Sequence, residues 1–500
     1  MKTRWMKKLG AHYHRFRLKY PGAPLMIVFD IDGTILDMRH MIHYVLKAYD
    51  EKNRTACFKG LQVEHIDVHE NEIEKFVDKL HLPKSERQKI LVWFNHRSWS
   101  REVISTAHRP YRGVLEVIRY FSILPNTFVG VNTGRPEKVR EDTLRSLNIL
   151  AHEHRLKFSS ELLFMNPQNW NKGVPEAKVQ GIRWFQNRGF KIFAVVDNEP
   201  DNLEAIGLED TEKEILLLHA ETIFQSKRTI SRKRFVSGKD YDLTELVEED
   251  NLPERVQFAW HGVNDELNLR QFLSSKIQWA EVDVRTHFYS GELISRHDSM
   301  KESPLLEDEK PLCVEKTLQI IKRHGKSAKL DFKEKKTIEP MVNILLQLGF
   351  SEEHLWFNGN IERVGERGFR LLACRFPKAI IQCPIDFLGP LILACPHEAK
   401  DILSLLGQWG INRFSLSFKT SNKTDILNQL DRWNYEVNIY NPRHLDEFLR
   451  AVLLLPRSVT ADFNFPQWHY FGRGSGEKLR WHNFSPAHET PRIEGEKALR

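Results

Sequence analysis

The stretch "IVFDIDGTILD", residues 27–37, places Asp30 and Asp32 one residue apart at the end of an apolar run. An aspartate at the carboxyl end of a buried parallel strand lies where α/β sheets place their ligands. Its carboxylate can bind a hard cation and can attack an electrophile. Asp32 is close enough to exchange a proton with a leaving group or a water, Gly33 permits a sharp turn, and Thr34 can cap the next helix. The stretch therefore predicts an aspartate-based catalytic site at the end of the first strand.

Three later stretches supply the groups that such a site needs for a phosphate. "VGVNTGRP" (129–136) ends a second strand in Thr133 and Gly134, whose hydroxyl and backbone N–H groups suit phosphate oxygens. Lys178 opens the amphipathic stretch "KVQGIRWFQNRG", and "VVDNEPD" (195–201) ends the next strand with Asp197 and Asp201. The four stretches together predict one phosphate-handling site.

In these four motifs, taken in order, residues 22–222 resemble the haloacid dehalogenase (HAD) superfamily of phosphatases. The resemblance implies that Asp30 is the nucleophile that forms an aspartyl-phosphate and that Asp32 is the general acid and base. It also implies that Thr133 and Lys178 bind the phosphoryl group, with Lys172 as a second candidate for the lysine.

The same resemblance implies a Mg²⁺ site. Its ligands would be Asp30, the carbonyl of Asp32 and Asp197, and Asp201 would orient them. Asn198 stands where a second adjacent acid is common, a departure that the spacing of Asp201 tolerates.

The first half predicts a Rossmann-like α/β domain over 22–224. Strand-like runs are "LMIVFD" (25–30), "TFVGVNT" (127–133), "IFAVVD" (192–197) and "EILLLHA" (214–220). Residues 38–112 have helical periodicity and are too long for a crossover helix, so we expect an inserted helical cap. A polar, charge-rich linker follows at 225–255.

Eight candidate strands in the second half predict a (β/α)₈ barrel of the TIM type over 256–470, followed by a poorly ordered tail at 471–500. The strands are "FAWH" (258–261), "WAEVDV" (279–284), "AKLDFK" (328–333), "LWFNGN" (355–360), "AIIQCP" (379–384), "FSLSFK" (414–419), "EVNIYN" (436–441) and "SVTADF" (458–463).

The barrel carries a second cluster at its strand ends. Glu281 and Asp283 lie two apart on one strand and point to the same side. With Asp331 from the neighbouring strand, they predict a three-carboxylate site for Mg²⁺ or Ca²⁺.

Two histidines and a lysine accompany these carboxylates. His261 and His297 could act as a general acid and base pair on a phosphodiester, and Lys333 could hold a nonbridging oxygen. Asn358, Asn360, Lys419 and Asn438 are further strand-end candidates, for which hydrogen bonding at the barrel rim is the alternative.

Residues 256–466 resemble the glycerophosphodiester phosphodiesterase superfamily, including its sphingomyelinase-D-like branch and the menorin-like proteins. The residues that carry the resemblance are "HGVN" (261–264), "EVDV" (281–284), "RHD" (296–298), "KLDFK" (329–333) and "ADFNFP" (461–466). Typical diesterases have Arg after the first histidine, and Gly262 stands there instead. The resemblance implies hydrolysis of glycerophosphodiesters or related phosphodiesters.

Composition is that of a globular protein, with 41% hydrophobic and 28% charged residues among 500. Residues 1–20 contain seven Lys and Arg and no acid, and they account for the whole net charge of +7. This basic arm, residues 1–21, could touch phosphates or anionic lipid, and the alternative is a first helix that packs its aromatics on the domain. The five scattered cysteines and the lack of a transmembrane run or signal peptide favour a cytoplasmic protein.

Both clusters require anionic substrates, so we expect a bifunctional phosphohydrolase. The barrel would cleave a phosphodiester, and the first domain would remove phosphate from a small monoester. Two alternatives stay open: a phosphatase whose barrel only binds lipid or protein, and a nucleic-acid end-processing phosphatase guided by the basic arm.

Overall fold

The computed structural model describes residues 4–167, 173–221, 235–305 and 309–461. Lys172, residues 225–234 of the expected linker, residues 462–466 of "ADFNFP" and the expected tail lie outside these ranges. The chain divides into two compact units, Met1–Glu248 and Glu249–Arg500.

Unit 1 is built on a six-stranded parallel sheet of order β3-β2-β1-β4-β5-β6. Its strands are β1 (Leu25–Phe29), β2 (Thr127–Pro136), β3 (Leu163–Asn166), β4 (Lys191–Asp197), β5 (Leu216–Ala220) and β6 (Val236–Gly238).

All five residues of β1 are buried, as expected for a central strand covered by helices on both faces. Phe29 pairs with Val131 of β2 and with Val196 of β4. This register brings Asp30, Thr133 and Asp197 to the same edge of the sheet. The Rossmann-like prediction is confirmed.

The helices of unit 1 include a group, α2 to α5, that lies between the first two strands. They are α1 (Trp5–Lys19), α2 (Met38–Asn53), α3 (Ile73–Asp78), α4 (Lys84–Arg97), α5 (Arg101–Thr106), α6 (Val114–Ile123), α7 (Arg140–Ala151), α8 (Val174–Asn187), α9 (Pro200–Glu209) and α10 (Leu243–Leu246).

The basic N-terminal segment forms helix α1 and packs on unit 1. Trp5, Tyr13 and Phe16 are buried, and the Tyr13 hydroxyl lies 2.9 Å from Thr127 Oγ1. Arg17 donates to the carbonyls of Ala23 and Asn126, each at 2.8 Å. The structure therefore has the packed first helix, the alternative to an extended arm.

Part of the expected linker belongs to the first unit. β6 pairs with β5, and α10 buries Leu243 and Leu246. Trp5 Nε1 donates to the Asp240 carbonyl at 2.7 Å, which fixes this segment to α1. These two short elements are not predicted from the sequence because residues 225–255 are polar in composition.

Unit 2 is a closed barrel of eight parallel strands, one for each strand expected from the sequence. They are β7 (Gln257–Trp260), β8 (Trp279–Thr286), β11 (Ser327–Phe332), β12 (Leu355–Asn358), β13 (Ile380–Pro384), β14 (Arg413–Ser417), β15 (Glu436–Tyr440) and β16 (Ser458–Ala461). The sheet closes through β16–β7 and β7–β8 pairing, which confirms the TIM-type prediction. Two short antiparallel strands, β9 (Leu293–Ser295) and β10 (Leu312–Cys313), extend from β8.

Eight helices accompany the described strands of unit 2. They are α11 (Glu266–Ser274), α12 (Val314–Arg323), α13 (Ile338–Leu348), α14 (Ile361–Arg375), α15 (Gly389–Ala394), α16 (Pro396–Gln408), α17 (Lys423–Arg432) and α18 (Leu445–Leu453). Among the described residues, every helix is too short or too polar to cross a membrane.

Candidate active sites

Asp30 lies at the carboxyl end of β1, in the middle of the sheet of unit 1. Its backbone N–H donates to the Val196 carbonyl at 2.9 Å, and its side chain is almost entirely buried. Burial raises the pKa of Asp30 to about 8, and the Lys178 ammonium opposes that rise. The side chain of Asp30 is therefore held in a buried position next to an ammonium group.

Lys178, in the second turn of α8, joins the two acidic strand ends. Its Nζ lies 2.5 Å from Asp30 Oδ1, 2.8 Å from Asp197 Oδ2 and 2.7 Å from the Asn132 carbonyl. Burial lowers the pKa of Lys178, but the charges of Asp197 and Asp30 outweigh it and hold that pKa above its ordinary value. Three residues expected from separate motifs thus meet at one point.

Thr133 and Gly134 follow at the same edge, at the end of β2. Thr133 is buried, and its Oγ1 accepts the N–H of Arg135 at 3.2 Å. A Cβ added at Gly134 would lie 3.2 Å from Val174 Cγ1, at the start of α8. The small residue therefore lets the β2 end approach the helix that carries Lys178.

Arg135 is a site residue that the sequence reasoning missed. Its Nε donates to Asp32 Oδ2 at 2.8 Å and its Nη2 to Oδ1 at 2.5 Å. The guanidinium is buried, and it faces the Trp99 ring at 5.1 Å from the centroid. The feature of the sequence that could have identified Arg135 is its position directly after Thr133 and Gly134.

Asp197 ends β4 and is oriented by a residue other than the expected one. Asn202 Nδ2 lies 3.1 Å from Asp197 Oδ1, and the Glu199 N–H donates to that oxygen at 2.8 Å. Asp201 is exposed in the first turn of α9. Asn202, which the sequence reasoning did not name, therefore orients Asp197, and the expected orienting role of Asp201 stays a prediction.

The helical insertion brings its own charged side chains near this site. His69 Nε2 lies 3.7 Å from Glu199 Oε1. Burial and the nearby charge of Asp32 raise the pKa of Glu70 to about 7. The insertion therefore contributes a histidine next to Glu199 and a carboxyl group that interacts with the charge of Asp32.

The barrel cluster surrounds a cavity of about 320 Å³. His261, Glu281, His297, Asp331 and Lys333 all line it. The further candidates Asn358 and Asn360 line the cavity as well. The other two candidates do not: Lys419 is exposed, and Asn438 is buried in the barrel. The Asn438 Oδ1 accepts from Ser458 Oγ at 2.9 Å.

Strand register explains why these side chains meet. Glu281 of β8 lies opposite Lys329 of β11, and Asp283 lies opposite Asp331. Lys329 Nζ is 3.1 Å from Glu281 Oε2, and Lys333 contacts both Asp283, at 2.9 Å, and Asp331. Lys329, which the sequence reasoning also missed, is signalled by its alternation with Asp331 and Lys333 on one strand face.

Each carboxylate of this cluster is thus paired with a lysine. Among the described residues of both units, no three His, Cys, Asp or Glu side chains are arranged to hold a metal ion. Binding of Mg²⁺ or Ca²⁺ at Glu281, Asp283 and Asp331 stays a prediction.

The two histidines come from different segments. His261 follows β7, and the adjacent Gly262 has a φ of +70°, a conformation that favours glycine over the arginine of typical diesterases. His297 Nδ1 lies 2.8 Å from Asp298 Oδ1. Arg296 forms a buried ion pair with Glu309, with Nε 2.5 Å from Oε1, and this pair anchors the segment that carries His297.

Solved structures with some similarity to the chain fall into two groups. A glycerophosphodiester phosphodiesterase from Parabacteroides distasonis is 11% identical, with 42% of this chain and 94% of that chain covered and a TM-score of 0.33. An Oleispira antarctica phosphodiesterase in complex with the product sn-glycerol-3-phosphate is 15% identical, with 43% and 96% covered and a TM-score of 0.33. A HAD family hydrolase from Deinococcus radiodurans with bound phosphate and sodium is 13% identical, with 44% and 93% covered and a TM-score of 0.29.

Neither protein-family models nor curated protein sequences match the chain. The class of the protein is therefore defined by the folds of its two units. Unit 1 is a Rossmann-like domain with a helical insertion after its first strand, and unit 2 is a (β/α)₈ barrel.

Proposed function

We propose that the chain is a phosphoric ester hydrolase with one site in each unit. Unit 1 would hydrolyse phosphomonoesters through an aspartyl-phosphate, and unit 2 would cleave phosphodiesters. The observation that carries the first activity is the convergence of Asp30, Lys178 and Asp197 at the carboxyl edge of the sheet. Phosphoryl transfer needs positioning and positive charge around the phosphorus, and this cluster supplies both.

In unit 1, an oxygen of Asp30 attacks the phosphorus, and the bond from phosphorus to the leaving oxygen breaks. Asp32 gives its proton to that oxygen, so that the alcohol leaves neutral. A water then attacks the aspartyl-phosphate, Asp32 takes one of the water's protons, and inorganic phosphate leaves while Asp30 is restored. Lys178 and the hydroxyl of Thr133 would bind the phosphoryl oxygens.

The side chains of unit 1 also fit a Mg²⁺ ion. Mg²⁺ takes oxygen ligands and keeps several waters, so that one or two carboxylates suffice to bind it. Among the described residues, Lys178 on Oδ1 is the one hydrogen-bond partner of the Asp30 carboxylate, so its Oδ2 can still serve as a ligand. Asp30 and Asp197 would hold the ion together with the Asp32 carbonyl, and the ion would neutralise charge on the phosphoryl group.

In unit 2, a second observation favours diester hydrolysis: His261 and His297 line one cavity with Lys333. One histidine would take a proton from the attacking water, and the other would protonate the leaving oxygen. The products are an alcohol and a phosphomonoester. Because a monoester is the substrate class proposed for unit 1, the two reactions could follow one another.

Two variants separate the activities. Asp30→Asn should abolish release of phosphate from p-nitrophenyl phosphate and leave cleavage of bis-(p-nitrophenyl) phosphate and glycerophosphodiesters unchanged. His261→Ala should have the reverse effect. If the wild type releases phosphate from the monoester but cleaves none of the diesters, the barrel is a binding module, and the diesterase half of the proposal is rejected.

A further inference from the structure

We infer that the barrel site carries its own cation, the Lys333 ammonium, at the position where its carboxylates suggest Mg²⁺ or Ca²⁺, and that it binds no divalent ion. The inference rests on the proposed diester site, but ion binding tests it independently of activity. The inference also gives the two units different metal requirements, because only unit 1 would then need a metal.

The position of Lys333 is the first observation. Its Nζ is 2.9 Å from Asp283 Oδ1 and also contacts Asp331 Oδ2. The side chain is buried, and the backbone N–H of Lys333 donates to the Val284 carbonyl at 3.2 Å, so the residue is fixed to the neighbouring strand. A divalent ion bound between the same two carboxylates would have to displace this ammonium.

Two amide side chains occupy the remaining oxygens of the aspartates. Asn264 Nδ2 donates to Asp283 Oδ2 at 2.5 Å, and Asn358 Nδ2 donates to Asp331 Oδ1 at 2.9 Å. The orientation of Asn264 is unambiguous, because its Oδ1 accepts the N–H of Asp283 at 3.1 Å. Three of the four carboxylate oxygens therefore accept a hydrogen bond, and the fourth, Asp283 Oδ1, faces the Lys333 ammonium at 2.9 Å in an ion pair.

Burial separates Asp283 from the cavity. Its side chain is 0% exposed and is not part of the cavity wall, whereas Lys333 is. Mg²⁺ and Ca²⁺ usually keep water among their ligands, which requires access to solvent. Asp283 therefore acts on the cavity through Lys333, and the opposite charge of Lys333 holds the pKa of Asp283 low against the effect of burial.

The charge of the cluster is also nearly balanced without a metal. Glu281, Asp283 and Asp331 contribute three negative charges, and Lys329 and Lys333 contribute two positive ones. One negative charge remains on these five side chains. Little attraction for a dication is left.

Unit 1 differs in the hydrogen bonds of its aspartate oxygens. There Lys178 also bridges two aspartates, but the Asp30 carboxylate accepts only from Lys178 among the described residues, which leaves its Oδ2 for an ion. The corresponding oxygens of Asp283 and Asp331 already accept from amide groups.

Lys333 can still act on a substrate. An ammonium has three N–H donors, and Lys333 donates one of them to Asp331 while it faces Asp283 in an ion pair. Lys333 also lines the cavity, where it can present an N–H to a ligand. It would donate to a nonbridging oxygen of the phosphodiester, which is the role that a divalent ion would otherwise fill.

The inference is tested by measuring Mn²⁺ binding to the full chain. Binding is monitored as the loss of the EPR signal of free Mn²⁺. In an Asp197→Asn background, which removes the ion site of unit 1, we expect no bound Mn²⁺. Adding Lys333→Ala should create a site for one ion, since Asp283 and Asp331 are released. Lys336→Ala, which removes an exposed lysine three residues later, should create none.

The inference is overturned if the Asp197→Asn protein binds one Mn²⁺ per chain and loses it when Asp331→Asn is added. EDTA gives a second comparison on the wild type. It should abolish monoester hydrolysis and leave diester hydrolysis unchanged. If no diester is cleaved under any condition, the proposed function of the barrel fails, while Mn²⁺ binding still decides the place of Lys333.

Discussion

Arg135 holds both carboxylate oxygens of Asp32, with Nε 2.8 Å from Oδ2 and Nη2 2.5 Å from Oδ1. This two-point contact fixes the plane of the proposed proton carrier, because the guanidinium matches a carboxylate in shape. Arg135 also donates to Thr143 Oγ1 at 3.1 Å and faces the Trp99 ring. It therefore links Asp32 to α7 and to the helical insertion.

Arg135→Lys should lower kcat for a phosphomonoester by about a hundredfold, with little change in KM, because a lysine keeps the charge but not the two-point geometry. Steady-state kinetics on p-nitrophenyl phosphate measure the effect. Arg140→Lys is the matched control, since Arg140 forms a similar contact with Glu137 at an exposed position. Equal losses in both variants would contradict a positioning role for Arg135.

Lys178→Met should inactivate unit 1 and destabilise it by about 3–5 kcal/mol, because two buried carboxylates lose their common partner. Thermal unfolding without metal measures the loss, and added Mg²⁺ should recover part of it. Lys79→Met removes a surface ion pair with Asp67 and should cost at most about 1 kcal/mol. A Lys178→Met protein as stable as the wild type in EDTA would exclude the bridging role.

His108 predicts a pH dependence of stability. Its Nε2 faces Arg135 Nη2 at 3.5 Å, and arginine only donates, so Nδ1 carries the proton and donates to Ser146 Oγ at 2.9 Å. Burial and the charges of Arg135 and Arg109 lower the pKa of His108 to about 2. The folded chain therefore keeps this ring neutral at pH values where the unfolded chain protonates it.

The free energy of unfolding should then fall as the pH drops below about 6.5, by up to about 1.4 kcal/mol per pH unit from this group. Above that pH the contribution of His108 is constant. Comparing the melting temperatures of the wild type and His108→Gln between pH 7 and pH 5 isolates it. The variant should lose less stability on acidification, and a parallel decline of the two proteins would count against a neutral His108.

The contribution of one buried hydrogen bond of unit 1 can be tested by comparing two buried tyrosines, Tyr241 and Tyr120. Tyr241 donates to the Thr34 carbonyl at 3.0 Å, whereas the Tyr120 hydroxyl has no partner among the described residues. Tyr241→Phe should cost about 1 kcal/mol, and Tyr120→Phe should be neutral or stabilising. The melting temperatures of the two variants measure these effects. Similar values for both would show that the Tyr241 hydrogen bond contributes nothing to stability.

The sequence predicts most of the fold because the long strands are continuous apolar runs that end in polar residues. β6, β9 and β10 escape prediction because two or three residues carry no periodicity that could be recognised. β3 also escapes prediction, although β7, β12 and β16 have the same length of four residues and are predicted.

The site residues divide in a similar way. The positions of Asp30, Thr133 and Asp197 follow from strand ends, and that of Lys178 follows from the amphipathic stretch that forms α8. The partners of Glu281 and Asp283 depend on strand register, which only the folded barrel defines. The contact of Asn202 with Asp197 depends on the phase of α9.

Asp298 gives a test of the barrel that does not depend on the metal. Its Oδ1 is 2.8 Å from His297 Nδ1, so the carboxylate favours the tautomer with the proton on Nδ1 and leaves Nε2 as the second ring nitrogen for catalysis. Asp298→Asn can present an N–H to Nδ1 instead and favour the other tautomer. We expect diesterase kcat to fall by about 10²–10⁴-fold, with unit 1 unaffected.

Nitrogen chemical shifts of the His297 ring distinguish this effect from general disorder. In the wild type, Nδ1 should carry the proton at neutral pH, and in Asp298→Asn the proton should move to Nε2. Asp386→Asn is the control, because Asp386 accepts from the Tyr440 hydroxyl at 2.8 Å and has no histidine partner within the described part of the chain. An unchanged tautomer together with lost activity would mean that Asp298 supports the loop and does not orient His297.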